Sequence, residues 1–212
     1  MAKLWETKAG PSVDPYIELF LSSTAVDARL LGEDLQGSAA HAEMLGRRGI
    51  IDAETAAALA GGLAELAAEA ASGSLAVDPE AEDVHSFVEA ELTRRLGDPG
   101  RSLHAGRSRN DQVALDLRLW LRRASKELRL ALLDALGALC ALAKGGTSLI
   151  MPGYTHLQRA QAVTFAHQLL AWCAALERDY GRFSDAAARA DESPLGSCAL
   201  AGTGLPIDRE AS

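Results

Sequence analysis

Residues 108–144 read SRNDQVALDLRLWLRRASKELRLALLDALGALCALAK, without a proline and with one internal glycine, Gly137. Apolar side chains recur in this stretch at spacings of three, four and seven residues, which predicts one face of an α-helix. The residues of that face are Leu117, Trp120, Leu121, Leu128, Leu132, Leu136 and Leu139. At 1.5 Å per residue the helix would be about 55 Å long. A pattern of this length needs partners, so it predicts a bundle of long helices.

Shorter helices are predicted before this stretch, from capping residues, prolines and glycines. They cover residues 14–31, 33–48, 53–72 and 79–96, with Asp14, Asp52 and Asp78 as their starting signals and a break at residues 97–100. Beyond the stretch, Gly145 and Gly146 end the first long helix. A second long helix is predicted over about residues 159–191, and residues 194–210 are predicted to be an ordered loop.

The composition favours helices as well. The hydrophobic fraction is 48% and the aromatic fraction only 5%, so the core must consist mainly of Ala, Leu and Val, which suits closely packed helices. We therefore predict an all-α fold, with a small helical domain at residues 1–106 followed by part of an elongated long-helix bundle at residues 107–212.

Charge and cysteine usage argue against several classes of protein. The net charge of -8 argues against a nucleic-acid binder. The most apolar stretch, residues 128–143, contains Arg129 and Asp134 and is shorter than the ~20 residues of a membrane span. We expect no signal peptide and no membrane association. Cys140 and Cys173 lie in apolar helical patterns and are predicted to be reduced and buried, as in a cytoplasmic protein.

A first polar segment lies at the start of the long helix. Residues 101–112 (RSLHAGRSRNDQ) hold three arginines and a histidine in an otherwise acidic chain. Gly106 allows close approach of the backbone, and Ser108 can cap the helix. A helix N-terminus attracts anions, and arginine binds carboxylates bidentately. The segment therefore predicts an anion site. The alternative, which the residues alone leave open, is a solvated loop whose arginines pair with nearby Asp and Glu.

A second polar segment, residues 151–161 (MPGYTHLQRAQ), repeats this design. A Pro/Gly turn is predicted to lead into a helix whose start carries Thr155, His156, Gln158, Arg159 and Gln161. A histidine at this place can carry a proton, because its reference pKa of ~6.5 lies near neutral pH. A purely structural histidine is the alternative.

Both segments resemble motifs of the argininosuccinate lyases. Residues 106–112 (GRSRNDQ), followed by DLRLW at 116–120, and residues 153–161 (GYTHLQRAQ) carry the closest similarity. Residues 82–85 (EDVH) and the PLGS start and PIDRE end of the tail resemble further parts of the family. The resemblance extends from residue 14 to residue 210 and implies the long-helix bundle of the fumarase/aspartase superfamily.

The resemblance implies a β-elimination that gives fumarate and L-arginine, in arginine biosynthesis. A base removes a weakly acidic proton next to the C–N bond, an acid protonates the departing nitrogen, and hydrogen-bond donors stabilise an aci-carboxylate. No metal or organic cofactor is implied. The family also implies a homotetramer in which each active site draws segments from three subunits.

Carried over position by position, His156 matches the family's catalytic histidine and Thr155 its substrate-binding neighbour. Asn110 and Ser23 match residues that bind substrate, although Ser23 alone would pass for an ordinary surface serine. Four further residues are expected as secondary substrate contacts. They are His85, Ser108, Arg109 and Gln158.

Two departures from the family pattern stand out. The family begins with a Leu-Trp-Gly-Gly-Arg-Phe segment, where this chain has Glu6, Thr7 and Lys8 after Leu4-Trp5, which bears on substrate binding. The family's downstream loop with a catalytic serine and a substrate-binding lysine has no counterpart before Ser212. We therefore expect this chain to be the N-terminal portion of a longer protein and to be inactive alone.

Three alternatives stay open at this point. One is a sibling lyase that releases fumarate from another substrate, of the adenylosuccinate lyase or aspartase type. A second is a non-catalytic structural relative, as the δ-crystallins are to this family. A third is a helical nucleic-acid module that uses the arginines of residues 101–109.

Overall fold

The computed structural model describes residues 14–211 and consists of helices with one two-stranded hairpin. The helices are α1 (Pro15–Leu21), α2 (Thr24–Asp27), α3 (Leu31–Arg47), α4 (Ala53–Ser72), α5 (Val84–Leu96), α6 (Asp98–Arg101), α7 (Arg109–Gly145) and α8 (Phe165–Arg189); Ala28–Leu30 and Ser102–His104 are 3₁₀ turns, and the strands are β1 (Ile150–Thr155) and β2 (Gln158–Thr164). The predicted helical fold class is confirmed, with the hairpin as an addition. Residues 6–8, whose departure from the family bears on substrate binding, lie outside the described residues.

The described residues form two compact units. The first holds the described residues up to Trp120 together with those from Ser193 onward, and the second is Leu121–Glu192. The boundary falls inside α7, because the side chains of Asp111, Gln112 and Asp116 near the start of that helix are buried in the first unit. The domain division after residue 106 stays a prediction.

The core of the first unit lies between α3, α4 and α5. Its buried side chains are mostly leucines, as the composition predicts; they include Leu35, Leu59, Leu63, Leu66, Leu92 and Leu103. Gly62 brings α4 close to α5, since a Cβ at this position would lie 3.0 Å from Leu96 Cδ1 and 3.1 Å from Leu92 Cδ2. Its neighbour Gly61 faces open space. Gly62 therefore lies where α4 packs closely against α5.

Several helix ends match the sequence signals. Asp14 Oδ1 accepts a hydrogen bond from Tyr16 N at 2.8 Å, and Asp52 caps α4 through Thr55 N at 2.7 Å. Gly73 adopts the left-handed conformation expected at the end of that helix. The predicted span of residues 53–72 is thus confirmed.

Two predicted helix spans were wrong. The first helix does not continue to residue 31: it breaks at Ser22 and Ser23, where Ser23 N donates to Glu82 O at 2.8 Å instead of continuing the helix. The α5 helix starts after Asp83, whose Oδ1 accepts from Ser86 N at 2.6 Å. Asp78 closes only a turn, through Glu80 N at 2.9 Å.

The second long helix begins later than predicted. Thr164 caps it by accepting a hydrogen bond from His167 N at 3.1 Å, and residues 159–164 belong to β2. This strand pairs antiparallel with β1, from Ile150 opposite Thr164 to Thr155 opposite Gln158. The pairing satisfies backbone groups that a helix would otherwise satisfy. The predicted helix start at the second polar segment was therefore wrong.

The second unit holds the rest of α7, the hairpin and α8. Ala143, Ala166 and Leu169 form a small buried cluster with Leu139 and Phe165 against it. Further along the pair of helices, Arg129 Nη2 donates to Tyr180 Oη at 2.8 Å and the guanidinium lies 4.7 Å from the ring centroid. These contacts fix the antiparallel register of α7 and α8.

Much of the predicted apolar face of α7 is exposed in this chain. Leu117, Leu121 and Leu128 are all exposed. Cys173 is buried as expected, whereas Cys140 is exposed, so the prediction for Cys140 was wrong for this chain. Within residues 14–211, none of the helices is both long enough and apolar enough to cross a lipid bilayer.

Candidate functional site: the start of helix α7 and the β1–β2 hairpin

The GRSRNDQ segment, residues 106–112, forms the turn into α7. Gly106 has φ +70°, which favours glycine, and the tail residue Ile207 would lie 3.1 Å from a Cβ there. Ser108 Oγ accepts from Asn110 N at 3.3 Å. Asp111 Oδ1 accepts from Ser108 N at 2.8 Å. Ser108 and Asp111 thus cap the helix reciprocally, and the predicted cap at Ser108 is confirmed.

Asp111 also anchors the C-terminal tail. Its second oxygen, Oδ2, accepts hydrogen bonds from Gly196 N at 3.0 Å and from Cys198 N at 2.7 Å. Burial, followed by the Asp111 charge, raises the pKa of the Cys198 thiol. One buried carboxylate therefore joins the helix start to the loop that the sequence predicted as ordered.

Arg109 is held by several protein groups in this structure. Its Nε lies 3.3 Å from Asp83 Oδ2, its Nη1 donates to Gln112 Oε1 at 3.0 Å, and its Nη2 donates to Ser86 Oγ at 3.1 Å. Glu89 Oε2 lies 3.8 Å from the same Nη2. The side chain is 22% exposed. The alternative in which the arginines of this segment pair with acidic residues thus describes Arg109 here.

Asn110 and Ser23 present polar groups at the surface of the same unit. Asn110 is exposed, and its Nδ2 donates weakly to Ala199 O at 3.4 Å. Ser23 is exposed as well, and its Oγ donates to Asp27 Oδ2 at 2.5 Å. The other oxygen of Asp27 accepts from Val84 N at 3.1 Å. The segment around Ser23 is therefore tied to the EDVH segment.

Beneath these surface groups lies a buried polar cluster, defined by Asp34, His85, Arg107 and Asp116. His85 Nε2 lies 2.8 Å from Asp116 Oδ2, and both side chains are 1% exposed. Arg107 Nη1 donates to Ser38 Oγ at 3.0 Å. Burial raises the pKa of Asp116 to about 6 and outweighs the His85 hydrogen bond, which lowers it. The Asp34 carboxylate raises the pKa of Asp116 further, and Arg107 opposes it.

Two more histidines border this cluster. His41 is buried, and its Nε2 lies 2.8 Å from Ala105 O. Burial, and secondly the Arg107 cation, lower the pKa of His41 to about 4. Burial likewise lowers the pKa of His104, against the raising effect of Glu89. Both imidazoles are thereby favoured as neutral groups near neutral pH.

Asp34, His85 and Asp116 are also the group in the described part of the chain that could hold a metal ion. Each offers one ligand atom, and these atoms lie within 4.8 Å of one another. The buried Arg107 cation already interacts with both carboxylates. Asp34 Oδ1 already accepts a hydrogen bond from Gln112, and Asp116 Oδ2 is already in contact with His85 Nε2. This donor set is thus better suited to a hydrogen-bonded polar cluster than to a divalent cation.

The second polar segment occupies the β1–β2 hairpin. His156 and Leu157 form its turn with φ values of 51° and 62°, the left-handed conformation that two-residue hairpin turns require. Leu157 is 94% exposed, and Thr155, His156 and Gln158 are exposed too. The hairpin tip thus presents a hydroxyl, an imidazole and an amide to the outside of its unit.

The predicted site residues are divided between the two units. Five of them lie in the first unit, where hydrogen bonds and ion pairs connect their segments; they are Ser23, His85, Ser108, Arg109 and Asn110. The other three lie at the hairpin tip in the second unit; they are Thr155, His156 and Gln158.

Sequence reasoning missed the buried residues that support this site. Asp111 carried a signal, because an acid three residues after Ser108 is a capping pattern. Asp116 begins the DLRLW segment that resembles the family. Asp34 carried no signal, since acids are common on helix surfaces and only the fold buries it.

Comparison with known proteins places the chain in a family. A family model described as "Lyase" matches residues 8–212. The curated argininosuccinate lyase of Pelotomaculum thermopropionicum is 48% identical over 99% of this chain. That of Clostridium beijerinckii is 47% identical over 99% of it. The chain spans 46% and 45% of the length of these two relatives.

A solved structure of EDDS lyase in complex with formate resembles the fold with a TM-score of 0.75 and 30% identity, over 96% of this chain and 40% of that one. The family match covers nearly the whole sequence, and the helical fold agrees with that of the matched lyase structure. The chain therefore belongs to the lyase family.

Proposed function

We propose that the protein of which this chain forms part is an argininosuccinate lyase, which releases fumarate and L-arginine from argininosuccinate in arginine biosynthesis. The observation that carries the proposal is the 46% to 48% identity to curated argininosuccinate lyases over nearly the whole chain. The GRSRNDQ and GYTHLQRAQ segments lie within this similarity and supply the polar groups that such an elimination needs.

Asn110 and Ser23 are proposed to bind the carboxylates of the substrate. Both are exposed in the first unit and offer an amide and a hydroxyl. Anion binding at this place gains from the α7 N-terminus, whose helix dipole favours negative charge. These donors would hold the substrate carboxylates in place while the proton next to the C–N bond leaves.

His156 is proposed as a catalytic residue, with Thr155 and Gln158 as neighbouring substrate contacts. Its exposure at a hairpin tip leaves the imidazole accessible to a bound substrate. The left-handed turn at His156 and Leu157 fixes the direction of that tip. An imidazole can take or give a proton near neutral pH, which the elimination requires.

For His85 we propose a supporting role, because its imidazole is buried against Asp116. Ser108 is proposed to act through its cap, which sets the helix start. Arg109 is 22% exposed and already bonded to protein groups. We propose that it contributes to substrate binding in the orientation in which these groups hold its guanidinium.

The assembled enzyme is proposed to be a cytoplasmic homotetramer that needs neither metal nor organic cofactor. The exposed apolar side chains of α7, among them Leu121 and Leu128, support association with further helices.

A second candidate is a sibling lyase with a different fumarate-yielding substrate. The 30% identity to EDDS lyase, of which one structure holds fumarate, favours this possibility. The higher identity to the argininosuccinate lyases favours our proposal.

The test is fumarate release by the full-length gene product, followed by its ultraviolet absorbance. Argininosuccinate, adenylosuccinate, aspartate and EDDS would be offered separately at equal concentration. We expect release from argininosuccinate to exceed release from each of the others by at least a hundredfold. Release from another substrate alone would assign the sibling function, and release from none would favour a non-catalytic relative.

A further inference from the structure

Gln112 lies between a buried acid and an arginine. Its Nε2 donates to Asp34 Oδ1 at 2.5 Å, and its Oε1 accepts from Arg109 Nη1 at 3.0 Å. Gln112 is 2% exposed and Asp34 is fully buried. Asp34 lies 78 residues before Gln112 in the sequence, so the contact connects α3 directly with the start of α7.

The chemistry of the three groups fixes the orientation of the amide. An ionised carboxylate only accepts hydrogen bonds, and a guanidinium only donates them. The side-chain amide offers both a donor and an acceptor at one end. Gln112 can therefore satisfy Asp34 and Arg109 together only with its nitrogen towards Asp34, and both hydrogen bonds then involve a charged partner.

Burial makes this contact strong for Asp34. Its other oxygen, Oδ2, has no hydrogen-bond partner within the described part of the chain. The nearby charges are those of the buried polar cluster, in which Arg107 offsets part of the negative charge of Asp34 and Asp116. Because water does not reach Asp34, loss of the Gln112 donor would leave a buried carboxylate poorly satisfied.

Arg109 receives its direction from this contact and three others. Asp83, Ser86 and Glu89, all at or near the start of α5, bind the Nε and Nη2 side of the guanidinium. Gln112 binds the Nη1 side. Arg109 and Asn110 are consecutive residues of the first turn of α7, so a guanidinium held by α5 holds the backbone of the turn that carries Asn110.

We infer that Asp34 and Gln112 are positioning residues, which act through Arg109 to hold the turn at residues 108–110 in the form that binds a substrate carboxylate. This inference rests on the proposed function, because that function supplies the carboxylate ligand. Neither residue touches the substrate. Their effect is the pre-organisation of donors that do.

Variants of Gln112 and Asp34 in the full-length enzyme test whether their contact holds Arg109 and the turn at residues 108–110. Gln112→Glu puts a second carboxylate against Asp34, and Gln112→Met removes both hydrogen bonds at similar volume. We expect either single change to raise KM for argininosuccinate at least fivefold, with kcat within threefold of the original value. The double variant Asp34→Asn with Gln112→Glu restores one donor facing one acceptor, and we expect its KM to return to within threefold.

Hydrogen exchange supplies a readout that needs no activity. Backbone amides of residues 106–112 are expected to exchange at least tenfold faster in Gln112→Met and to recover in the double variant. If Gln112→Glu fails to fold, we expect the double variant to fold and to have a KM within threefold of the wild-type value, and this result replaces the single-variant comparison. Gln36 is exposed on the same helix as Asp34, so Gln36→Met and Gln36→Glu are matched controls without effect.

Two results would overturn the inference. One is a folded Gln112→Met enzyme with unchanged KM and unchanged exchange at residues 106–112. The other is a double variant no better than Gln112→Glu. If the wild-type enzyme releases no fumarate, the proposed function is wrong. The hydrogen-exchange measurement then still decides whether Asp34 and Gln112 hold the turn.

Discussion

His41 and Asp116 are two buried residues of the first unit whose pKa values shift in opposite directions. Burial and Arg107 lower the pKa of His41 from 6.5 to about 4. Burial raises the pKa of Asp116 from 3.8 to about 6. Between pH 4 and pH 6, folding therefore releases a proton from His41 and takes one up at Asp116. The two effects on the pH dependence of stability oppose each other.

We predict that Asp116→Asn uncovers the contribution of His41. The raised pKa of Asp116 gives stability that is present at low pH and lost as the pH rises from about 4 to about 6. The lowered pKa of His41 gives stability that is lost as the pH falls over the same interval. Without Asp116, the free energy of unfolding should rise more steeply with pH than in the wild type, by up to about 1.4 kcal/mol per pH unit.

Urea denaturation at several pH values between 4 and 6 measures this difference in slope. Asp134→Asn, which changes an exposed acid on the same helix, is the control and should leave the slope as it is. Parallel curves for Asp116→Asn and the wild type would show that Asp116 does not take up a proton on folding.

At the level of single residues, the sequence predicted the exposed polar residues of the candidate site better than the buried residues that hold them in place. Ser108 was predictable as a cap because its role depends on neighbours two and three residues away. The contact between Asp34 and Gln112 spans 78 residues, and no local pattern predicts which surface-type residue a fold will bury. Arg109 was predicted as a donor for an anion, whereas its protein partners emerged only with the packing of α5 beside α7.

The glycine pair in α4 shows how one helix combines local and tertiary requirements. Gly61 faces open space, while a Cβ at Gly62 would press on Leu92 and Leu96. Both glycines weaken the helix in the same way, by about 1 kcal/mol relative to alanine. Only at Gly62 does the packing compensate for this loss.

We predict that Gly61→Ala raises the free energy of unfolding by about 0.5 to 1 kcal/mol. Gly62→Val should lower it by about 1 to 3 kcal/mol, because the larger side chain overpacks the contact with α5. The midpoints of thermal unfolding of the two variants, compared with the wild type, check both signs. Equal shifts in the two variants would mean that α4 and α5 do not approach at Gly62.

Among the secondary-structure elements, the hairpin is one that the sequence pattern did not predict. Residues 159–164 lack proline and glycine and lead directly into α8, so their sequence is compatible with a helix. The cap at Thr164 and the pairing with residues 150–155 make them a strand. The two-residue turn uses His156 and Leu157 rather than the usual Asn-Gly or Gly pair, and its signal was therefore absent.

For the whole molecule, the sequence predicted the class of fold and the family, and the family match over residues 8–212 confirms both. The long apolar face of α7 was predicted as well, but not which part of it this chain covers. Leu117, Leu121 and Leu128 are exposed, since a periodic pattern identifies an apolar face but not the segment that packs against it.

In the proposed enzyme, this chain contributes a catalytic imidazole at the hairpin tip and a helix start that binds the substrate carboxylates. Steady-state fumarate release from argininosuccinate by the full-length wild type and by His156→Asn tests it most directly. His167→Asn, an exposed histidine at the start of α8, is the matched control.

We predict an active wild type, an unchanged His167→Asn enzyme, and a His156→Asn enzyme whose kcat falls at least a hundredfold while KM stays within about threefold. A His156→Asn enzyme that keeps the kcat of the wild type would exclude His156 from proton transfer.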